Sequence, residues 1–112
     1  MKFSYNTNYY PPAPNLEIRL GLPDESLKVG PLPALVDTGA DFTIVPVEII
    51  EPLEVQIDDR KYLLNVGVED LRLPLVEIIA DELGDEVILG RNVINKLIMI
   101  LNGREQTLEI LE

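Results

Sequence analysis

The stretch that decides the fold is Ala34-Leu35-Val36-Asp37-Thr38-Gly39-Ala40-Asp41-Phe42-Thr43-Ile44-Val45-Pro46. One apolar run leads into Asp37-Thr38-Gly39 and a second leads out, so the pattern predicts two strands joined by a sharp polar turn. A buried carboxylate at the end of a strand is costly unless hydrogen bonds or a partner group compensate for its lost hydration. Gly39 supplies the freedom for backbone N–H groups to approach that carboxylate. The turn is therefore either a catalytic site or an internal structural bond.

Composition excludes several kinds of site. The chain has 112 residues, enough for one domain with a core, and its net charge is −11. This charge argues against nucleic acid and anionic membrane surfaces as partners. There is no Cys and no His, which excludes thiol nucleophiles, Cys-based metal sites and His-based triads. If the domain is an enzyme, carboxylates are therefore its expected acid–base groups, and we expect neither a metal nor a cofactor.

Two motifs resemble one known family. Residues 37–43, Asp-Thr-Gly-Ala-Asp-Phe-Thr, are similar to the active-site motif of the retroviral-type aspartic proteases, the retropepsins and their single-lobed cellular relatives. Residues 87–97, Val-Ile-Leu-Gly-Arg-Asn-Val-Ile-Asn-Lys-Leu, resemble that family's strand, Gly-Arg-Asn/Asp turn and short helix. The resemblance extends from Leu16 to Leu101, with the middle third matching in pattern only.

The resemblance assigns roles to the residues of the turn. It implies that Asp37 is the catalytic carboxylate and that Thr38 holds two such loops together across a dimer axis. Gly39 would donate its backbone N–H to the carboxylate. Because the chain contains a single Asp-Thr/Ser-Gly, the second carboxylate of such a site must come from another copy, and a two-fold axis beside Asp37 would supply it. The predicted function is therefore that of a homodimeric aspartic endopeptidase acting on a peptide or protein substrate.

Further positions are assigned to substrate binding by the same resemblance. Asp41 matches a residue that binds the substrate backbone, and Arg91 matches a residue that pairs with that acid. The Asp41–Arg91 ion pair would also stabilise the fold without catalysis. Leu35 and Ile88 match positions that line the pocket beside the cleaved bond, although both would serve equally as core. Ala40, within the motif, completes the predicted substrate-binding set.

Short alternating apolar segments along the rest of the chain predict about eight strands and one helix. We therefore predict an all-β fold, a small closed β-barrel of the acid-protease type with one short C-terminal helix at 90–97. Residues 1–15 are expected to form an extended Pro/Tyr-rich N-terminal arm, either a strap over the domain or a peptide ligand. Residues 16–112 would be the single retropepsin-like aspartic protease domain. Its predicted details include a strand at 27–29 closed by Gly30-Pro31, an edge or bulge at Pro74, and a hairpin at Asn102-Gly103.

The predicted flap departs from the family. Retroviral proteases cover the substrate with a glycine-rich hairpin, whereas the candidate here is the 53–68 hairpin with its charged tip at Asp58, Asp59 and Arg60. The acids at 58–59, 69–70 and 81–86 are interpreted as solvated turns. Glu86, beside the strand of Ile88, could instead bias the pocket towards basic side chains.

Two other functions stay open on the sequence alone. The first is a non-catalytic dimerisation or peptide-binding module that keeps the barrel, which the poor flap favours. The second is a carboxylate-based hydrolase of a non-peptide substrate, which needs a second acid in the groove. The N-terminus lacks the apolar stretch of a signal peptide and no run of about 20 apolar residues is present, so a cytoplasmic location is expected by default.

Overall fold

The computed structural model describes residues 1–53 and 61–111. Within these ranges the strands are β1 (Lys2–Ser4), β2 (Asn15–Gly21), β3 (Val29–Val36), β4 (Thr43–Pro46), β5 (Lys61–Val68), β6 (Leu71–Asp81), β7 (Val87–Leu89), β8 (Ile98–Asn102) and β9 (Thr107–Leu111). The helices are α1 (Val47–Ile50), followed by a 3-10 turn (Glu51–Leu53), and α2 (Arg91–Ile94). None of the helices in the described ranges is long and apolar enough to cross a membrane.

Six strands form a closed barrel in the order β2-β3-β7-β4-β6-β5. The pairs β3–β7 and β4–β6 are parallel, and the other neighbours are antiparallel. Alternation along the strands fills the interior, as on β2, where Leu16, Ile18 and Leu20 are buried while Glu17 and Arg19 are exposed. The predicted small closed β-barrel is confirmed. Besides the predicted C-terminal helix, the described residues contain a second short helix, α1.

Strand β7 lies between β3 and β4, the two strands that flank the Asp-Thr-Gly turn. It pairs with the end of β3 through Val36 opposite Leu89, and with β4 through Ile44 opposite Ile88. Because the three-residue strand β7 pairs with both β3 and β4, these two strands are held at a fixed separation. The turn between them, residues 37–42, is thereby positioned at one end of the barrel.

Outside the barrel, the chain termini form a three-stranded sheet in the order β1-β9-β8. Leu108 and Ile110 of β9 are buried and join the core of the molecule. On the opposite face, Ile98 and Ile100 of β8 and Leu111 of β9 are exposed. Among the described residues β8 pairs only with β9, so its other edge carries unpaired backbone groups beside apolar side chains.

The chain between β1 and β2, here called the arm (residues 5–14), is bound at several points. The N–H of Tyr5 donates to the carbonyl of Gln106 at 2.8 Å, and Asn6 pairs with Ala13 in an isolated antiparallel bridge. The carbonyl of Pro14 accepts from the N–H of Val36 at 3.0 Å. The arm is therefore a closed loop, and its last residue, Pro14, is hydrogen-bonded to Val36, the residue that precedes Asp37.

Two predicted details around Gly30 and α2 are wrong. Gly30-Pro31 does not close a strand at 27–29; it lies inside β3, which starts at Val29. Gly30 has a φ of +119°, and a Cβ there would lie 2.7 Å from the carbonyl oxygen of Ile18, so glycine permits the close approach of β3 to β2. The predicted helix at 90–97 ends at Ile94 and continues as turns.

Of the two alternatives predicted at Pro74, an edge or a bulge, the structure has the bulge. Leu75 has a φ of +52°, and the ladder between β5 and β6 shifts register between Leu64 and Val66. The buried Asn65 supports this bulge: its Oδ1 accepts from the N–H of Leu75 at 3.1 Å and its Nδ2 donates to the carbonyl of Leu22 at 3.3 Å. The predicted flap tip at Asp58, Asp59 and Arg60 lies outside the described residues.

Candidate active site

The carboxylate of Asp37 is held by the backbone of its own turn. The N–H of Gly39 donates to Asp37 Oδ1 at 2.9 Å, and the N–H of Ala40 donates to the carbonyl of Asp37 at 3.2 Å. The N–H of Asp37 donates to the carbonyl of Leu89 on β7 at 3.0 Å. A half-buried carboxylate with one oxygen fixed in this way is oriented rather than free to rotate.

Arg91, the first residue of α2, binds the turn from the other side. Its backbone N–H donates to the carbonyl of Ala40 at 2.8 Å and its Nη1 donates to the carbonyl of Thr38 at 3.0 Å. Its Nη2 forms an ion pair with Asp41. The two side chains are 45% and 71% exposed, so their charge attraction alone contributes little to stability. The contribution of Arg91 is geometric, because one planar guanidinium joins two points of the turn.

A buried hydroxyl links the turn to the Gly-Arg-Asn motif. Thr43 is fully buried, and its Oγ1 accepts from the N–H of Gly90 at 3.1 Å and donates to Asn92 Oδ1 at 2.9 Å. The Nδ2 of Asn92 donates in turn to the carbonyl of Glu77 on β6 at 2.9 Å. Thr43 and Asn92 had no predicted role, although both lie inside the two motifs at 37–43 and 87–97.

Gly90 packs directly on the backbone that follows the turn. A Cβ at this position would lie 2.2 Å from the carbonyl oxygen of Phe42 and 2.9 Å from its nitrogen. The backbone of Gly90 is extended, with φ −94°, so its need for glycine comes from this close approach and not from its conformation. Any larger residue would push the two motifs apart.

Leu35 and Ile88 are direct neighbours across β3 and β7, and both are half-buried. Ile44 is paired with Ile88 on its other side. The predicted pocket residues therefore stand together on strands that lead to the Asp37 turn. Their partial exposure leaves apolar surface available to a ligand, unlike the neighbouring Ala34 and Leu89, which are fully buried.

The site brings together the two sequence motifs but only one Asp-Thr-Gly carboxylate. Asp37, Thr38, Gly39, Ala40 and Asp41 form one continuous turn, bound by Arg91. Within residues 1–53 and 61–111, no group of three acids is close enough to hold a metal ion. The arrangement can orient one carboxylate near the half-buried apolar side chains of Leu35 and Ile88.

Two solved structures are similar to this fold over most of the chain. A retropepsin-like aspartic protease from Rickettsia conorii has a TM-score of 0.72 and 13% sequence identity, covering 98% of this chain and 87% of that one. The retroviral protease-like domain of Ddi1 from Leishmania major has a TM-score of 0.53 and 16% identity, covering 86% and 87%. No protein-family model and no curated protein matches the sequence. At these identities the similarity shows the fold, and the resemblance predicted from the two motifs is confirmed at that level.

Proposed function

We propose that this chain is an aspartic endopeptidase that works as a homodimer, with Asp37 of each copy forming one catalytic pair. The observation that carries the proposal is the oriented Asp37 carboxylate, fixed by the Gly39 N–H in a turn that Arg91 binds. Its support from other proteins is the similarity of the fold to retropepsin-like aspartic proteases.

The chemistry follows from placing two such carboxylates side by side. At about 3 Å apart, two negative charges repel by roughly 5 kcal/mol at an effective dielectric constant of about 20. This energy corresponds to about four pK units, so the pair holds one shared proton at neutral pH. The unprotonated carboxylate takes a proton from water, and the protonated one donates a hydrogen bond to the peptide carbonyl. The Thr38 hydroxyl is available to bond across the axis, and Asp41 to accept from the substrate backbone.

The free edge of β8 supports the dimer. Ile98, Ile100 and Leu101 are 57%, 46% and 41% exposed on a strand whose outer backbone groups are unpaired in the described part of the chain. Such an edge is a template for a further strand. Antiparallel pairing of β8 with its own copy is self-complementary, as a two-fold axis requires.

The test of the catalytic pair is the Asp37→Asn variant. We expect it to lower peptide cleavage by at least about a hundredfold, because it removes the acid–base group, while the fold and the dimer persist. Asp70→Asn, the same change at an exposed turn, is the control. Mixed dimers with one wild-type and one Asp37→Asn copy should also be inactive. Cleavage at the wild-type rate by the Asp37→Asn homodimer would remove this residue from the mechanism.

The test of the dimer is Ile100→Lys, which places a charge on the β8 edge. We expect a monomer with unchanged circular dichroism and no peptidase activity. Leu83→Lys makes the same change at a fully exposed position in another part of the surface and should leave the dimer intact. Sedimentation velocity separates the two states, and an active, dimeric Ile100→Lys protein would exclude this edge.

A further inference from the structure

A cavity of about 350 Å³ lies between the arm and the barrel. Its lining combines apolar side chains of the barrel and α1 with polar side chains of the arm, of the first residue of β2 and of the loop before β7. The apolar side is provided by Leu32, Ile49 and Val87. The polar side carries three amides, from Asn6, Asn8 and Asn15, together with Tyr9, Asp85 and Glu86. The volume is sufficient for one long side chain of a ligand.

The arm that covers this cavity is fixed by hydrogen bonds. The hydroxyl of Tyr9 donates to the carboxylate of Glu86, which joins the tip of the arm to the loop before β7. Asn6 Oδ1 accepts from the N–H of Asn8 at 2.8 Å, and the Asn6–Ala13 bridge closes the base of the arm. The cavity is therefore formed before any ligand arrives, which lowers the entropy lost on binding.

The strand register connects the cavity with Leu35 and Ile88, the half-buried pair on the strands that lead to the Asp37 turn. Asn15, at the cavity, is paired with Leu35, and Leu35 is paired with Ile88. Glu86 precedes Ile88 by two residues, and side chains at this spacing point to the same side of an extended chain. A substrate lying over Leu35 and Ile88 can therefore place a neighbouring side chain under the arm.

The charge of the lining selects the kind of side chain. Among the residues that the structure describes, Asp85 and Glu86 are the charged groups that line the cavity, and no Lys or Arg of residues 1–53 and 61–111 lines it. The amide and carboxylate oxygens accept hydrogen bonds, whereas the apolar side suits a methylene stem. We propose that this cavity is a substrate subsite that holds a Lys or Arg side chain next to the residues at the cleaved bond, an inference that rests on the proposed peptidase function.

Binding to the inactive Asp37→Asn protein tests the subsite without any need for cleavage. The probes are decapeptides with a central Leu-Phe, in which one outer position at a time carries either Arg or citrulline, its neutral isostere. We expect one position at which the Arg peptide binds about tenfold more tightly, the factor that about 1.4 kcal/mol of charge-assisted hydrogen bonding gives. Isothermal calorimetry at low salt measures the ratio.

Two variants in the Asp37→Asn background identify the cavity as the source of this ratio. Asp85→Asn with Glu86→Gln removes both charges while keeping an oxygen for Tyr9, and should bring the ratio close to one. Glu82→Gln removes an exposed acid in the same loop that does not line the cavity, and should leave the ratio unchanged. Equal affinities for Arg and citrulline at every position, or a ratio that survives the double substitution, would overturn the proposal.

Cleavage of the same peptides by the wild-type protein tests the peptidase activity separately from the Lys/Arg subsite. Cleavage without an Arg preference would contradict the subsite and leave the peptidase standing. A charge-dependent Arg preference in binding, with no cleavage by the wild-type dimer, would support the subsite and contradict the peptidase.

Discussion

Replacing Gly90 by alanine tests whether the contact between the two motifs maintains the site. The added Cβ would lie 2.2 Å from the carbonyl oxygen and 2.4 Å from the carbonyl carbon of Phe42, where real Cβ atoms keep at least 3.0 Å. The atoms in contact are backbone, so no side chain can rotate away, and the chain at Phe42 must move by about 0.8 Å to restore that separation. Overpacking of this kind costs about 1–3 kcal/mol.

Part of this cost is offset in the unfolded chain, because alanine has fewer unfolded conformations than glycine, an effect of about 0.4–1 kcal/mol. The net loss should be about 1–2 kcal/mol, which for a domain of this size lowers the Tm by roughly 4–9 °C. Catalysis should suffer more than stability. The displaced residue follows Asp41 directly, and a shift approaching 1 Å at a site can reduce kcat/KM by about a hundredfold.

The control is Gly103→Ala, because no atom lies within 4 Å of a Cβ at Gly103 and its backbone does not have a positive φ. This variant should keep wild-type activity and be equally or slightly more stable. Denaturant unfolding and kcat/KM are measured at one protein concentration, since dimerisation makes the Tm concentration-dependent. If Gly90→Ala unfolds within about 0.5 kcal/mol of the wild type and retains its activity, the contact does not position the site.

Three further predictions concern groups around the turn and the arm. Thr43→Val keeps the shape of the side chain but leaves the buried N–H of Gly90 without its acceptor, so the free energy of unfolding should fall by about 1–3 kcal/mol. An unchanged denaturation midpoint would contradict this. Arg91→Lys keeps the charge but cannot join two points of the turn, so kcat/KM should fall by about tenfold while stability changes by less than about 1 kcal/mol; full activity would show that charge alone suffices. The hydrogen bond to Glu86, with smaller contributions from burial and nearby negative charge, raises the pKa of Tyr9 from 10.0 to about 12. Because the folded state holds the Tyr9 proton more tightly than the unfolded chain does, this stabilisation is complete below pH 10 and is lost as the pH rises towards 12. An absorbance titration should show Tyr9 losing its proton at lower pH in Glu86→Gln than in the wild type. An unchanged titration curve would refute the assignment.

Much of the fold could be predicted because its signals are local. Alternating apolar residues define β2, the Asp-Thr-Gly turn interrupts two apolar runs, and Pro74 marks the bulge on β6. These patterns depend on side chains within a few residues of each other, so one sequence is enough to read them. The pairing of Leu35 with Ile88 was accessible only through the family resemblance.

The rest depended on contacts between distant segments. The hydrogen bond between Tyr9 and Glu86 joins residues 77 positions apart, and no local pattern specifies such a partner. Asn65 reads as one polar residue in an apolar strand, and its role becomes visible only where it meets Leu22 and the strained Leu75. Gly90 could be identified as part of a motif, but the carbonyl that excludes a side chain there belongs to Phe42.

The insertion of β7 between β3 and β4 has a consequence for the order in which the molecule matures. Asp37 is made early, but the carbonyl that orients its backbone belongs to Leu89 and the guanidinium that binds its turn belongs to Arg91. When only residues up to the middle of this sequence have been synthesised, Asp37 is present but the Leu89 carbonyl and the Arg91 side chain are not. Long-range pairing of this kind forms late in folding. An incompletely synthesised chain that lacks Leu89 and Arg91 therefore holds Asp37 without the groups that orient its turn.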